Sequence, residues 1–429
     1  MVCEDCEKLA LRVRELESVV AELKARLAWF ENANVPSSQS KPFLSKTARR
    51  RLVEDKKSGR SDGHKGSGRE SPTKIDERVK LKSLKVCPHC GGKVKRRKGH
   101  RKRTVSKLVR GSLKNTEYDI PSSYCLHCHK NVEPVVPNAL PNARFDLSFA
   151  VYIACLKILG VSLEKTRFLL KTDYRLSVSK GTLVNTMNNL AVFLGEDYEN
   201  LRRRLNRSKR VHGDETGWGI HGKNHWLWEF VSERTAFFTV ERSRGRSVPQ
   251  KILDRFKGVL TTDFWGPYNA VDCEKQKCWA HLIRDLVHVL EFNPSDEFAE
   301  FATGLLLLYE HGKTGRKSKE KRRFLEGELD KLLSQKYTDP NCLRLFKRLM
   351  RHRSELFTFC ERKGVVSHNN FAERMIRPSV VIRKNAFGSQ SERGAQTFAT
   401  LMSFFQTSQL NNQNYPEYLE KLAQNRLEN

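Results

Sequence analysis

Val211-His-Gly-Asp214-Glu-Thr-Gly-Trp218 and Gly258-Val-Leu-Thr-Thr-Asp263 decide the fold. Each opens as a β-branched or apolar run and reaches an aspartate, so each is expected to be a strand with its carboxylate at the end. Between them, His225 to Ser232 and Thr235 to Val240 are aromatic, β-rich runs that read as a strand meander. The basic turn Glu241 to Arg246 and a short helix over Val248 to Phe256 follow. Three adjacent strands, a crossover helix and a fourth strand are the order of a ribonuclease-H-like sheet, which sets two aspartates side by side on neighbouring strands. Cys278 to Leu290 then reads as helical, and His368-Asn-Asn-Phe-Ala-Glu373-Arg-Met-Ile-Arg-Pro378 opens a later helix with a third carboxylate.

Each carboxylate has an ordinary reading. Asp214 and Asp263 could close turns, which Asp favours, and Glu373 could sit third in a capping arrangement with Asn370. Converging together they offer oxygen ligands to a hard divalent cation, Mg²⁺ or Mn²⁺. Two such ions about 3.5–4 Å apart serve in-line phosphodiester displacement. Asp214 and Asp263 are separated by 49 residues, Asp263 and Glu373 by 110. The second gap exceeds one crossover, so an inserted helical segment is expected over roughly 295–360. Cys278 and His281 form a C-x-x-H pair for which Cys273 is the obvious nearby further donor, and a local structural role is the preferred reading.

Outward from this centre, charge dominates. Of 429 residues, 79 are Lys or Arg and 49 Asp or Glu, a net of +30. Between Lys41 and Arg110 lie 25 basic and 6 acidic residues, so +19 of the excess falls there. Such a field draws nucleic acid. A membrane surface fits poorly, because neither an amphipathic basic helix nor a lipidation signal accompanies the charge. With no apolar run of about 18 residues, a cytoplasmic, nucleoid-associated protein is expected.

Residues 1–32 carry Leu9, Val13, Leu16, Val20, Leu23, Leu27 and Phe30 at heptad spacing, the seam of a parallel coiled coil and hence of a homodimer or larger assembly. Residues 33–75 are a basic, flexible linker too polar to order itself. Within 76–135, Cys87, Cys90, Cys125 and Cys128 form two C-x-x-C knuckles, the four-thiolate pattern of a structural Zn²⁺ ribbon. The basic run between them, including Lys95, Arg96 and Arg97, is a DNA-contact candidate. Residues 142–205 read as helices, Ser162 capping one of them. Either a helix-turn-helix DNA reader or a supporting bundle fits. The fold class is thus multidomain α+β: coiled coil, zinc ribbon, helical segment, a ribonuclease-H-like α/β catalytic domain over 206–405 with a helical insertion, and a helical tail over 406–429.

His212-Gly-Asp-Glu-Thr, Thr262-Asp-Phe-Trp-Gly-Pro-Tyr268, Cys278-Trp-Ala-His281, Asn369-Asn-Phe-Ala-Glu-Arg-Met-Ile-Arg-Pro378 and Arg383-Lys-Asn385 together carry a family likeness, as does the tail from Gly388 to Tyr418. The chain resembles the DDE transposases of the bacterial insertion-sequence family numbered sixty-six, over nearly its whole length. That resemblance implies that Asp214, Asp263 and Glu373 are a catalytic triad holding two Mg²⁺ (or Mn²⁺) ions, with Arg377, Arg383 and Lys384 on DNA phosphates. It also implies binding of terminal inverted repeats, strand cleavage and strand transfer, with small accessory proteins of the element as helpers. Two departures stand out. His368 takes the place of the family's Asp before Asn-Asn, and the usual Ala-His-Ala-Arg-Arg reads Ala280-His-Leu-Ile-Arg284 here. A non-catalytic DNA-binding protein and a nuclease without strand transfer are the competing classes.

Overall fold

The computed structural model describes residues 123–124, 131–132, 138–141, 143 and 145–428. The coiled coil, the basic linker, the ribbon cysteines Cys87, Cys90, Cys125 and Cys128, and Lys95, Arg96 and Arg97 lie outside the described residues. Within 76–135, strands β1 (Ser123–Tyr124) and β2 (Asn131–Val132) pair antiparallel and bracket the second C-x-x-C in sequence.

The centre is a five-stranded mixed sheet in the order β5-β4-β3-β6-β7, compatible with a ribonuclease-H-like domain. Its strands are β3 (Arg210–Ile220), β4 (Lys223–Val231), β5 (Ala236–Glu241), β6 (Val259–Thr262) and β7 (Glu274–Lys277). The first three form the expected antiparallel meander, and β6 and β7 run parallel to β3. β3 turns into β4 through His221 and Gly222, both at positive φ (51° and 76°). This backbone twist suits a two-residue hairpin.

Two expectations need correction. Asp214 is not at the end of its strand, because β3 runs on to Ile220 as one arm of the hairpin. Only the β6 side of β3 stops early, its pairing ending at His212↔Thr261. The fifth strand, β7, was not expected at all. Its sequence, Glu-Lys-Gln-Lys, has no apolar alternation, yet Gln276 and Lys277 are both fully buried.

Both sheet edges are closed by side chains, which removes the free backbone row that invites aggregation. At β5, the N–H groups of Ala236 and Phe238 donate to Thr407 Oγ1 (3.0 Å) and Ser403 Oγ (2.8 Å) of helix α11 (Glu392–Leu410). At β7, Thr358 Oγ1 donates to the Lys275 carbonyl (2.7 Å), and Gln276 bonds the Leu356 carbonyl (2.9 Å) and the Phe359 N–H (2.8 Å).

The helices form two cores. α1 (Leu147–Ile158), α2 (Leu163–Tyr174), α3 (Lys180–Phe193) and α4 (Gly195–Asn206) share one with the sheet, with α10 (Asn370–Ala386), α11 and α12 (Tyr415–Glu428). Ser162 caps α2 through the Lys165 N–H (3.2 Å), as expected. The helical segment is therefore packed against the sheet's own core rather than standing apart from it. A short α5 (Ser247–Ile252) crosses from β5 to β6.

The second core joins α6 (Trp279–Phe292) to the expected insertion, which comprises α7 (Asp296–Lys313), α8 (Lys319–Leu333) and α9 (Pro340–Arg351) and ends in short turns at Cys360. Ser295 and Asp339 cap α7 and α9. No helix among the described residues is long and apolar enough to cross a membrane.

Candidate active site

β3 and β6 lie parallel in the register Val211↔Leu260 and His212↔Thr261. Two residues further on, each chain reaches an aspartate, so the register that buries the sheet also sets Asp214 against Asp263. Each is half-buried, and each has one carboxylate oxygen held by a backbone amide. Asp214 Oδ1 accepts from Glu215 N–H and Asp263 Oδ1 from Trp265 N–H, both at 2.9 Å. Burial pushes the Asp214 carboxyl well above the usual range, and the charges of Glu215, Glu373 and Asp263 push the same way. Glu373 is also raised, by burial and by Asp263, with the Arg284 guanidinium pulling it down. Clustered carboxylates repel, and a divalent cation relieves that repulsion. An all-oxygen donor set of this kind suits Mg²⁺ or Mn²⁺.

Glu373 comes from far along the chain, and one residue places it. Asn369 is 1% exposed. Its Nδ2 donates to the Gly213 carbonyl (2.8 Å), immediately before Asp214, and its Oδ1 accepts from His212 Nδ1 (3.1 Å). Its own N–H donates to Cys278 Sγ (3.1 Å). Burial lowers the His212 pKa to about 4, so the ring stays neutral in this clasp. Asn369 thus ties the start of α10 to β3 and to the start of α6. This overturns the capping alternative for Glu373. Helix α10 begins at Asn370 with Asn369 as its N-cap residue, whose side chain turns to the sheet instead of capping.

Sequence reading also missed a ring of supporting groups. Lys277, fully buried on β7, donates to the Asp263 carbonyl (3.1 Å) and to Thr262 Oγ1 (3.3 Å). Burial lowers its pKa, and the charges of Glu355 and Asp263 oppose that. Glu215 takes two hydrogen bonds from Arg244 (2.7 and 3.0 Å) and one from the buried Tyr268 hydroxyl. Arg244 in turn lies between the rings of Trp226 (4.4 Å) and Trp265 (4.0 Å). Glu229, paired with Asp214 across β3 and β4, is wholly buried, and neither of its carboxylate oxygens has a hydrogen-bond partner. Burial, then Asp214, drive its pKa well up.

The expected phosphate-binding cations differ in setting. Arg377 is half-buried one turn beyond Glu373, and Lys384 is exposed. Arg383 is committed to β3, donating to Thr216 Oγ1 (2.8 Å) and the Gly217 carbonyl (2.5 Å). His368 is half-buried, its pKa lowered by burial. Among the described residues, three metal-type donor atoms lie within 4.8 Å of one another at Cys278, His281 and Glu373. The two aspartates and Cys273 stand outside that group.

Comparison with known proteins gives a family and two relatives. The family described as "Transposase IS66 family" matches residues 148–397, which span the helical segment, the sheet, the insertion and α10. Two Sinorhizobium fredii proteins are similar to the chain. The uncharacterized protein y4qI is 23% identical over 322 residues, covering 65% of this chain and 58% of its own length. The uncharacterized protein y4jD is 22% identical over 276 residues, covering 55% and 54%. The chain therefore spans little more than half the length of these relatives.

Proposed function

This chain belongs to the IS66 family of transposases, and from that premise we propose that it cuts and joins DNA at the ends of an insertion sequence through Asp214, Asp263 and Glu373. The observation that supports this most is the parallel register of β3 and β6, which runs both strands into aspartates at the same level. The clasp of Asn369 on Gly213 then brings in the helix that carries the third carboxylate.

The three carboxylates would hold the cations, and Glu215 N–H and Trp265 N–H orient the two aspartates by fixing one oxygen of each. Lys277 steadies the backbone of Asp263 from below. When bound, a pair of Mg²⁺ or Mn²⁺ ions supplies activation of the attacking water or 3′-hydroxyl and stabilisation of the leaving oxygen. Water would cleave the phosphodiester at each transposon end to leave a 3′-hydroxyl, and that hydroxyl would attack a target phosphodiester, displacing a target 3′-hydroxyl, at the same site and with no covalent protein intermediate. Arg377 and Lys384 on α10 would meet phosphates beside it, and the +30 net charge would draw the DNA. The coiled coil would bring two ends together in a homodimer or larger assembly, the Zn²⁺ ribbon would add DNA contacts, and small accessory proteins would assist.

The test is labelled DNA carrying the ends that flank the gene, incubated with the full chain in Mg²⁺ or Mn²⁺ beside Glu373→Gln. Cleavage and joining by the wild type, absent from a variant that still binds DNA, is expected. Equal products from both would remove Glu373 from the mechanism. Cleavage without joining would leave a nuclease.

A further inference from the structure

The C-x-x-H pair at the start of α6 offers two metal-binding side chains, and the structure supplies a third that the sequence did not indicate. Cys278 is the N-cap residue of α6, His281 lies in its first turn, and Glu373 faces them from α10. We propose that Cys278, His281 and Glu373 form a three-ligand site for Zn²⁺, and that zinc bound there withdraws Glu373 from the acidic triad. The second half rests on the proposed role of Glu373 in holding Mg²⁺. The first half stands on the three side chains alone.

The geometry is already close to that of a zinc site. The three donor atoms lie within 4.8 Å of one another, and His281 Nδ1 is 3.8 Å from Glu373 Oε1. In a tetrahedral site with bonds of about 2.0–2.3 Å, ligand atoms stand roughly 3.3–3.8 Å apart, so small side-chain adjustments suffice. His281 Nδ1 is buried and makes no hydrogen bond, although it faces a carboxylate oxygen. A cation between them takes one donor atom from each. The sulfur is fixed as a metal thiolate usually is, with the Asn369 N–H directed at it (3.1 Å). The amides of His281 and Ala280 favour its ionised form as well, against a burial that pushes the free thiol up to about 12. A bound metal deprotonates such a thiol outright.

Donor chemistry separates this site from its neighbour. Thiolate and imidazole select Zn²⁺ over Mg²⁺, whereas the aspartates offer oxygen alone. Glu373 therefore stands between a soft site and a hard one. Three protein ligands also leave one coordination position open, the arrangement of non-structural zinc sites. Zinc in this pocket competes with Mg²⁺ for a carboxylate that both need, which makes the enzyme's readiness to cut DNA answer to the local zinc level.

The measurement is zinc stoichiometry and affinity of the full-length chain, titrated against a chromophoric chelator. The wild type should hold one more equivalent than Cys278→Ser and than His281→Gln. The second variant replaces a side chain that is one-third exposed (33%), so it keeps the comparison sound should the buried serine disturb folding. Glu373→Gln should weaken that equivalent by about tenfold or more, since even outer-shell changes cost 10–100-fold. Asp263→Asn should leave it in place. Millimolar Mg²⁺ should weaken zinc binding to the wild type and not to Asp263→Asn. Equal zinc content in wild type, Cys278→Ser and His281→Gln overturns the site. Unchanged affinity in Glu373→Gln, or indifference of the wild type to Mg²⁺, overturns the sharing of Glu373. Neither readout depends on DNA cleavage, so failure here is distinct from failure of the triad.

Discussion

Asp214 and Asp263 ride on strands whose register is set by backbone hydrogen bonds, whereas Glu373 arrives on a distant helix and is held by the side chain of Asn369. The first arrangement is redundant. Each residue pair of the β3–β6 ladder repeats the same instruction, and the apolar faces above and below enforce it. The second is concentrated. Two contacts of one buried side-chain amide and one of the same residue's backbone N–H fix where α10 starts, and with it the angle at which Glu373 enters. A site built this way keeps two of its carboxylates in place in the absence of the third, and the third is the one most open to adjustment.

The largest expected effect breaks the redundant half. Asp214→Asn or Asp263→Asn should lower cleavage by roughly 10³-fold or more, as loss of one member of a cooperating unit does. Single-turnover rates on end-containing DNA test this, and a variant within tenfold of wild type would remove that aspartate from the centre. Next comes the clasp. Asn369→Leu keeps the size but loses both side-chain contacts to β3, leaving only the backbone N–H on Cys278, and cleavage should fall by about 10²-fold through misplacement of Glu373. The chain should still fold and bind DNA. A full rate in this variant would show that α10 is placed by packing alone.

A subtler contrast lies beneath Asp214. Glu229 is buried without partners, and its folded pKa is raised well above the usual carboxylate value. The folded form therefore holds a proton that the unfolded chain, with a Glu pKa near 4.3, releases. Stability contributed by that proton is complete below this value and is lost as pH rises through the raised pKa. Glu229→Gln removes the dependence. The variant should match wild type near pH 4 and gain stability towards neutral pH, by roughly 1–3 kcal/mol, the cost of an unmatched buried polar group. Thermal melts from pH 4 to 8 without divalent metal read this directly, and parallel curves for the two proteins would refute it. The smallest effect belongs to Arg383→Ala. Loss of its bonds to Thr216 and Gly217 should cost about 1–2 kcal/mol. DNA affinity should fall less than for Lys384→Ala in a salt-titrated binding assay, because Lys384 is exposed and Arg383 is not.

The same contrast explains what the sequence could disclose. Strand propensity marks β3 and β6, because that signal is local, although β3 runs on past Asp214 to Ile220. The 110 residues between Asp263 and Glu373 are too many for one crossover, and the helices α7, α8 and α9 lie in that gap. β7 stayed hidden because Lys275, Gln276 and Lys277 owe their strand to partners supplied by residues 356–359 and by Asp263. The role of Asn369 is not legible in the sequence, for its three partners lie on segments 91 to 157 residues away. The donor atom that clusters with Cys278 and His281 belongs to Glu373 on another helix, whereas nearness in sequence points to Cys273. What was illegible shares one property: it exists only after remote segments meet.

That α1 and α3 bury their apolar faces against α11 and α12 sets a timetable as well as a shape. The early helices leave the ribosome more than 200 residues before the partners that cover them. At about 5–20 residues per second the interval is roughly 10–50 s, during which Leu147, Ile153 and Leu190 have no final home. High contact order slows the closing step further. A nascent chain in that interval needs shielding from its neighbours, and depletion of general chaperones should reduce the yield of intact protein before it alters any property of the protein that does fold.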